Sequence, residues 1–337
     1  MIIIITYEKK YVKQFQLDFT FRHFDEFRLK KIDKLAYIYM INISKEKKNL
    51  SKIVGELCYM EVRKPVEMLD CISDSGVIRV QRNMLSLVIL SLLAGIFIAF
   101  AAQGSTMAAH NLLANPGTSG LARILVGAIF TTGLMLVIFT GAEMFTGNSM
   151  IVTAVLDRRV TVKQMLFNWL VVYVGNFIGG VFIAWMIAES GQFNASEGLL
   201  GGVTIQIAAS KVAIPFHRAF ILGIMCNWLV CLAILSSFAS RGPEGKVLII
   251  FFVISLFVIS AFEHSVANMY YISAGIFAKQ NPQWVAMSNI SAEQLAALNW
   301  GNFLVRNLIP VTLGNIVGGG FMVWTLFWLA LRKKKEN

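Results

Sequence analysis

NWLVVYVGNFIGG, residues 168–180, and NLIPVTLGNIVGG, residues 307–319, are one phrase written twice, since both read N-x6-G-N-x-x-G-G. Each copy lies in a long apolar run. On either side of them, runs near the length of a bilayer core cover residues 84–102, 121–140, 165–188, 214–238, 247–262 and 304–331. The phrase occupies the third and the sixth run. Three crossings separate the copies, an odd number, so the second must traverse the membrane in the opposite direction to the first. Repeats of this inverted kind place a substrate path at their interface, near the midplane. The expected fold is an all-α membrane protein of six transmembrane helices, with a channel domain at 84–332 whose inverted halves are 84–190 and 211–332.

Composition agrees with this and excludes the soluble classes. Of 337 residues, 56% are hydrophobic, and the charge-free stretches are longer than a water-soluble domain of this size tolerates. The net charge of +11 would suit a nucleic-acid partner, but past residue 60 the bases stand mostly at the ends of the apolar runs. Arg79 and Arg82, then Arg158, Arg159 and Lys163, then Arg241 and Lys246, then Arg332 to Lys335 fall on one side. The opposite loops hold Lys211, Lys279 and a few arginines near helix ends. The positive-inside rule then puts both termini in the cytoplasm. A multi-pass chain of the inner membrane is expected, with lipid rather than nucleic acid around it. Cys226 and Cys231 lie five residues apart inside the fourth run, so they do not face one another. Neither a metal spacing nor a disulfide framework is present; the cysteines read as small apolar residues, and no cofactor is expected.

Residues 1–59, beginning MIIIITYEKKYVKQF, carry neither a sustained helical stripe nor a clean strand alternation. They lack the apolar core and small-residue cleavage site of a signal peptide. Their composition is that of translated A/T-rich non-coding DNA. Gly55 and Glu56 could be written GGA GAA, a purine run suitably placed for ribosome binding ahead of Met60. Translation is therefore expected to start at Met60, with 60–83 an amphipathic cytoplasmic lead-in and 333–337 a cytoplasmic tail. A small basic cytoplasmic extension is the competing reading.

The second and fifth runs are interrupted. One reaches FTGAEMFTGNSM (139–150) and the other SAFEHSVANMYY (260–271), and both contain E-x4-N, as Glu143 with Asn148 and Glu263 with Asn268. Irregular backbone at that depth is tolerable only where protein or a water-filled cavity satisfies its amides. A helix restarted there presents free N–H groups and a positive dipole end, which suits an anion. The glycines of the repeat read as packing positions, and Asn168, Asn176 and Asn315 as amides that join helices. Glu143 and Glu263, costly inside a membrane, are expected to accept hydrogen bonds from the freed backbone amides and so hold the loops in shape.

His264 is the histidine placed within an apolar span, on the second interruption; His110 and His217 fall in external loops. Imidazole is the side chain best able to exchange a proton near neutral pH. Moving an anion into low dielectric costs several kcal/mol even after relaxation. Neutralising a carboxylate of pKa about 3.7 at pH 7 costs only about 4–5 kcal/mol, at 1.36 kcal/mol per unit. A weak-acid anion can therefore cross a dry constriction as its neutral acid, with His264 or a water beside it supplying the proton.

GAEMFTGN (141–148), CNWLVCLA (226–233), FEHSVANM (262–269) and NLIPVTLGNIVGGG (307–320) resemble the formate/nitrite transporter family, over about residues 60–332. The resemblance implies an aquaporin-like six-helix protomer with helices 2 and 5 broken. It also implies a homopentamer in which every protomer has its own pore for formate, nitrite or hydrosulfide. By the same likeness His264 matches the central histidine, Asn227 its hydrogen-bond partner and Thr146 the threonine of the flexible loop. Lys211 matches the lysine that makes the outer vestibule attractive to anions. Phe130, Phe257 and Val230 match the outer constriction, and Leu134 with Met144 the inner one. The loop FTGNSM departs from the FTST form associated with formate channels and looks closer to nitrite, hydrosulfide and some other formate members.

A neutral-solute channel of the aquaporin type is the rival by fold, but its paired Asn-Pro-Ala signature is absent. An intramembrane enzyme is the rival by class; neither Gly-x-Ser-x-Gly with a partner histidine nor His-Glu-x-x-His occurs. An enzyme is not expected.

Overall fold

In a computed structural model of the chain, the described residues run from 62 to 332. The expected start at Met60, the extension 1–59 and the tail 333–337 lie outside them. The regular structure of the described residues is helical, apart from one isolated antiparallel bridge between Val62 and Ser240. Helix α1 (Pro65–Gln81) leads into α2 (Met84–Leu113), α3 (Ser119–Thr140), the short α4 (Phe145–Leu156) and α5 (Val162–Glu189). Then come α6 (Leu199–Val212), α7 (Phe216–Ser237), α8 (Pro243–Ile259), α9 (Ser265–Ala278) and, past two short helices, α10 (Trp300–Leu331).

Among the described residues five helices are long and apolar enough to cross a membrane. The run at 247–262 supplies only the 17-residue α8, because the backbone leaves helical geometry at Ser260 and resumes at Ser265. The first run continues past its expected end at 102 to Leu113, since its polar residues find partners within the protein. Thr106 returns its hydroxyl to the Ala102 carbonyl, and His110 meets the Met107 carbonyl and the Ser196 hydroxyl. His110 is thus buried in the last turn of α2 rather than in a loop. Likewise Lys211 belongs to the last turn of α6 and His217 to the first turn of α7.

The repeated phrase sets the closest approaches. A Cβ on Gly179 would strike the Leu92 carbonyl of α2, and one on Gly318 the Ile224 carbonyl of α7. Packing α5 on α2 and α10 on α7 at backbone contact therefore depends on glycine at these positions. Two interruptions sit between the packed pairs. After α3, Gly141 takes φ 72°, a left-handed cap that glycine adopts without a Cβ penalty. After α8 the left-handed residue is Ala261, at φ 55°, where an L side chain is disfavoured.

Helix α1 buries Leu69, Ile72 and Gly76, with Gly76 facing Ile151 and Ala154 of α4. It is clasped by ion pairs from Asp70 to Arg332 and from Asp74 to Arg159, and Arg332 also holds Asp157 at 2.7 Å. Burial alone would push the Asp157 carboxyl up, but hydrogen bonds from Ser73, Trp328 and Arg332, with the Arg332 charge, outweigh it and hold the group below its ordinary value. A depressed carboxyl stabilises the fold above its unfolded value of about 3.9, and that contribution is lost as pH falls through the folded value. The clasp is therefore expected to be constant from about pH 5 upward and to weaken only in acid. Asp157→Asn should loosen α1 at pH 7 by about 1 kcal/mol or less, because the cluster is partly open to water. Faster protease cleavage within 65–81 would register it; an unchanged rate would show that the clasp carries no stability.

Candidate permeation pathway

The two interruptions are held by matched sets of partners. At the first, the Phe145 N–H donates to Asn176 Oδ1 at 2.9 Å, while Asn176 Nδ2 donates to the Ser91 and Glu143 carbonyls at 2.7 and 2.9 Å. At the second, the Ser265 N–H donates to Asn315 Oδ1 at 2.9 Å, and Asn315 Nδ2 donates to the Gly223 and Glu263 carbonyls at 2.8 and 3.0 Å. The asparagines of the repeated phrase thus take the freed amides, correcting the role expected of Glu143 and Glu263. An amide has both a donor and an acceptor and can match loop backbone on both sides; a carboxylate only accepts.

The carboxylates answer to cations instead. Glu143, fully buried, pairs with Arg79 and Arg82 and accepts from Asn148 Nδ2 at 2.7 Å. Glu263 pairs with Lys211 at 2.7 Å and accepts from Asn268 Nδ2 at 2.6 Å. Asn148 goes on to Asn168 and Asn268 to Asn307, both at 2.8 Å, and these donate to the carbonyls of Arg79 and Lys211. Arg79 therefore stands to the first half as Lys211 stands to the second.

Two cavities flank the interruptions. One of about 170 Å³ is lined by Lys211, Arg123, Phe130, Phe257 and His264 among others; one of about 180 Å³ is lined by Arg79, Leu134, Val137, Met144 and Asn148 among others. Helix α3 passes from the first at Phe130 to the second at Leu134, so by helical rise the stretch between them is about 6 Å long. Phe130 and Phe257 meet edge to face at 5.8 Å, and the Phe257 ring lies 6.0 Å from that of His264. Val230 is buried on α7 but lines neither cavity.

His264 Nε2 lies 2.9 Å from Thr146 Oγ1, joining the two interruptions across 118 residues of sequence. Its Nδ1 accepts the Ala267 N–H at 3.0 Å, capping α9. A backbone N–H can only donate, so Nδ1 carries no hydrogen and the ring is neutral with its proton on Nε2. That proton is donated to Thr146 Oγ1. The Thr146 hydroxyl hydrogen is left to point elsewhere.

The profile of the formate/nitrite transporter family matches residues 66–329. The chain belongs to this family. It is 37% identical over 261 residues to a probable formate transporter of Methanothermobacter thermautotrophicus, covering 73% of this chain and 89% of the relative. It is 34% identical over 280 residues to the formate channel FocA of Escherichia coli K12, covering 81% and 96%. A solved pentameric formate channel with formate bound superposes with a TM-score of 0.64 at 36% identity, covering 74% of this chain and 98% of that one. The chain is thus a multi-pass membrane protein of a transport family.

Against the family expectation, Asn227 is not the partner of His264. Its Nδ2 donates to the Asn315 carbonyl at 2.7 Å and, at 3.4 Å, to the Thr146 carbonyl. Both imidazole nitrogens are already engaged, so Asn227 acts on the backbone of the threonine that meets the ring. Sequence reasoning missed Ser149, whose hydroxyl donates to the Thr146 carbonyl at 2.7 Å, accepts from Trp324 Nε1 at 2.9 Å and lies 3.1 Å from Cys231 Sγ. It also read Arg79 and Arg82 as topological charges alone. A signal existed: Arg79 precedes Leu90, and Lys211 precedes Leu222, by eleven residues, and those two carbonyls receive the Glu143 and Glu263 amides.

Proposed function

We propose that this chain is a formate channel of six spans, the second and fifth broken at the membrane midplane, assembled as a homopentamer in the inner membrane with both termini cytoplasmic. The channel domain is 84–332 and the lead-in that precedes it is cytoplasmic. The Lys211 cavity is then the outer vestibule and the Arg79 cavity the inner one. Support for formate comes from the relatives, named as formate transporter and formate channels, and support for the pentamer from the solved pentameric formate channel.

The observation that carries the mechanism is the neutral Thr146–His264 pair at the short apolar stretch between the vestibules. A bare carboxylate entering that stretch would lose its water and gain no full charge in exchange, whereas the neutral acid fits its hydroxyl and N–H groups. Formate therefore crosses as formic acid, in company with a proton. The expected relay through His264 needs a second proton on Nδ1, and the Ala267 amide occupies that position. A neutral imidazole that gave up its remaining proton would become an anion. In this arrangement His264 serves as a fixed hydrogen-bond donor and vestibule water supplies the proton; a relay operates only if the Ala267 amide lets go.

The Gly147–Asn148 form of the loop favours a second reading, nitrite or hydrosulfide as the permeant. Uptake of formate, nitrite and hydrosulfide into proteoliposomes separates the readings. Formate entering fastest is the expected result; faster nitrite or hydrosulfide would reassign the substrate, and no flux of any of them would sink the channel reading.

A further inference from the structure

Lys211 is the cation that the family likeness makes the attractor of anions, yet its ammonium is held 2.7 Å from Glu263 and 5.4 Å from the centre of the Tyr271 ring. Its side chain is 16% exposed and that of Glu263 5%. Two opposite charges so close form a dipole, whose field fades with distance faster than that of a lone charge. The pair adds no net charge to the outer vestibule. An anion arriving from water needs another cation to meet.

Arg123 lines the same cavity as Lys211 and His264. It is exposed, in the first turns of α3, and makes no ion pair or side-chain hydrogen bond among the described residues. Val126 and Phe130 follow it at i+3 and i+7, the spacing of one helix face, and both line the cavity with it. Seven residues of helix place Arg123 about 10 Å outside the Phe130 constriction. The inner vestibule has a matching surplus, because Arg79 and Arg82 share the single carboxylate of Glu143.

We propose that Arg123 recruits the substrate anion at the outer mouth, while Lys211 is a positioning residue that holds the Glu263 loop. The proposal rests on the channel reading above. In proteoliposomes with the wild-type pentamer, the half-saturating formate concentration should rise with ionic strength. Arg123→Gln should raise it roughly threefold to tenfold at low salt, as expected for losing one charge in a partly aqueous mouth. It should also flatten the salt dependence and leave the maximal flux near wild type, and Arg123→Lys should restore both. Removing the pair together, in Lys211→Gln with Glu263→Gln, keeps the net charge of the vestibule and should lower assembled protein or maximal flux while keeping the wild-type salt dependence; a salt dependence flattened in this double variant as in Arg123→Gln would overturn the assignment. If Arg123→Gln fails to assemble, Arg123→Met, which keeps the aliphatic stem, provides the same reading. A wild-type half-saturating concentration and salt dependence in a charge-removed Arg123 variant overturns the proposal. Absence of formate flux in the wild type itself would instead overturn the reading on which it rests.

Discussion

Replacing Glu143 by alanine is expected to cost about 3–5 kcal/mol and to leave little assembled protein. The carboxylate is fully buried, and the two guanidiniums beside it, Arg79 and Arg82, are 17% and 27% exposed. Without Glu143 they face one another with no counter-charge, and the Asn148 amide loses its nearer acceptor. The cost is that of stranding partners rather than of losing one contact, so its source can be separated. Removing one guanidinium as well, in Glu143→Ala with Arg82→Gln, should recover part of the loss. Thermal unfolding of the detergent-solubilised protein measures this. A single variant as stable as wild type, or a double variant no better than the single, would show that the cluster is already satisfied by water.

The second large effect concerns His264, whose two nitrogens do different work. His264→Asn is expected to assemble normally, because asparagine is a strong N-cap and can accept the Ala267 amide. Its formate flux should fall by no more than about tenfold, the worth of one buried hydrogen bond, and should stay linked to protons. His264→Ala removes the cap, the donor and the ring that faces Phe257 together. It is expected to be destabilised by about 1 kcal/mol from the lost cap and to leak anion without a proton. Should the asparagine variant lose proton linkage while remaining assembled, the imidazole is a relay after all, and the Ala267 amide must release Nδ1 during transport.

Much of this was legible in the sequence, for reasons that can be named. The membrane helices follow from apolar runs, because lipid demands them without regard to tertiary detail. The paired phrases showed which helices pack closely, since backbone contact at Gly179 and Gly318 admits no side chain. The repeated Glu-x4-Asn marked where helices stop. What stayed hidden was the choice of partner. Arg79 and Glu143 are 64 residues apart, and a basic residue at the end of an apolar run looks the same whether it meets water, lipid headgroups or a buried carboxylate. Ser149 and Trp324, 175 residues apart, are joined by one indole hydrogen bond that no spacing announces. Asparagine and glutamate were interchanged for a similar reason: both suit a broken helix, and only the geometry of the freed N–H and carbonyl groups distinguishes an amide site from a carboxylate site.

Passage as the neutral acid is tested most directly by measuring, in one proteoliposome experiment, formate uptake and internal pH while membrane potential is clamped at different values. Electroneutral entry, with one proton per formate and a rate that does not respond to potential, is the expected result. Uptake that speeds or slows with potential and leaves internal pH unchanged would mean that the anion crosses bare, and the role given to the neutral Thr146–His264 pair would be wrong.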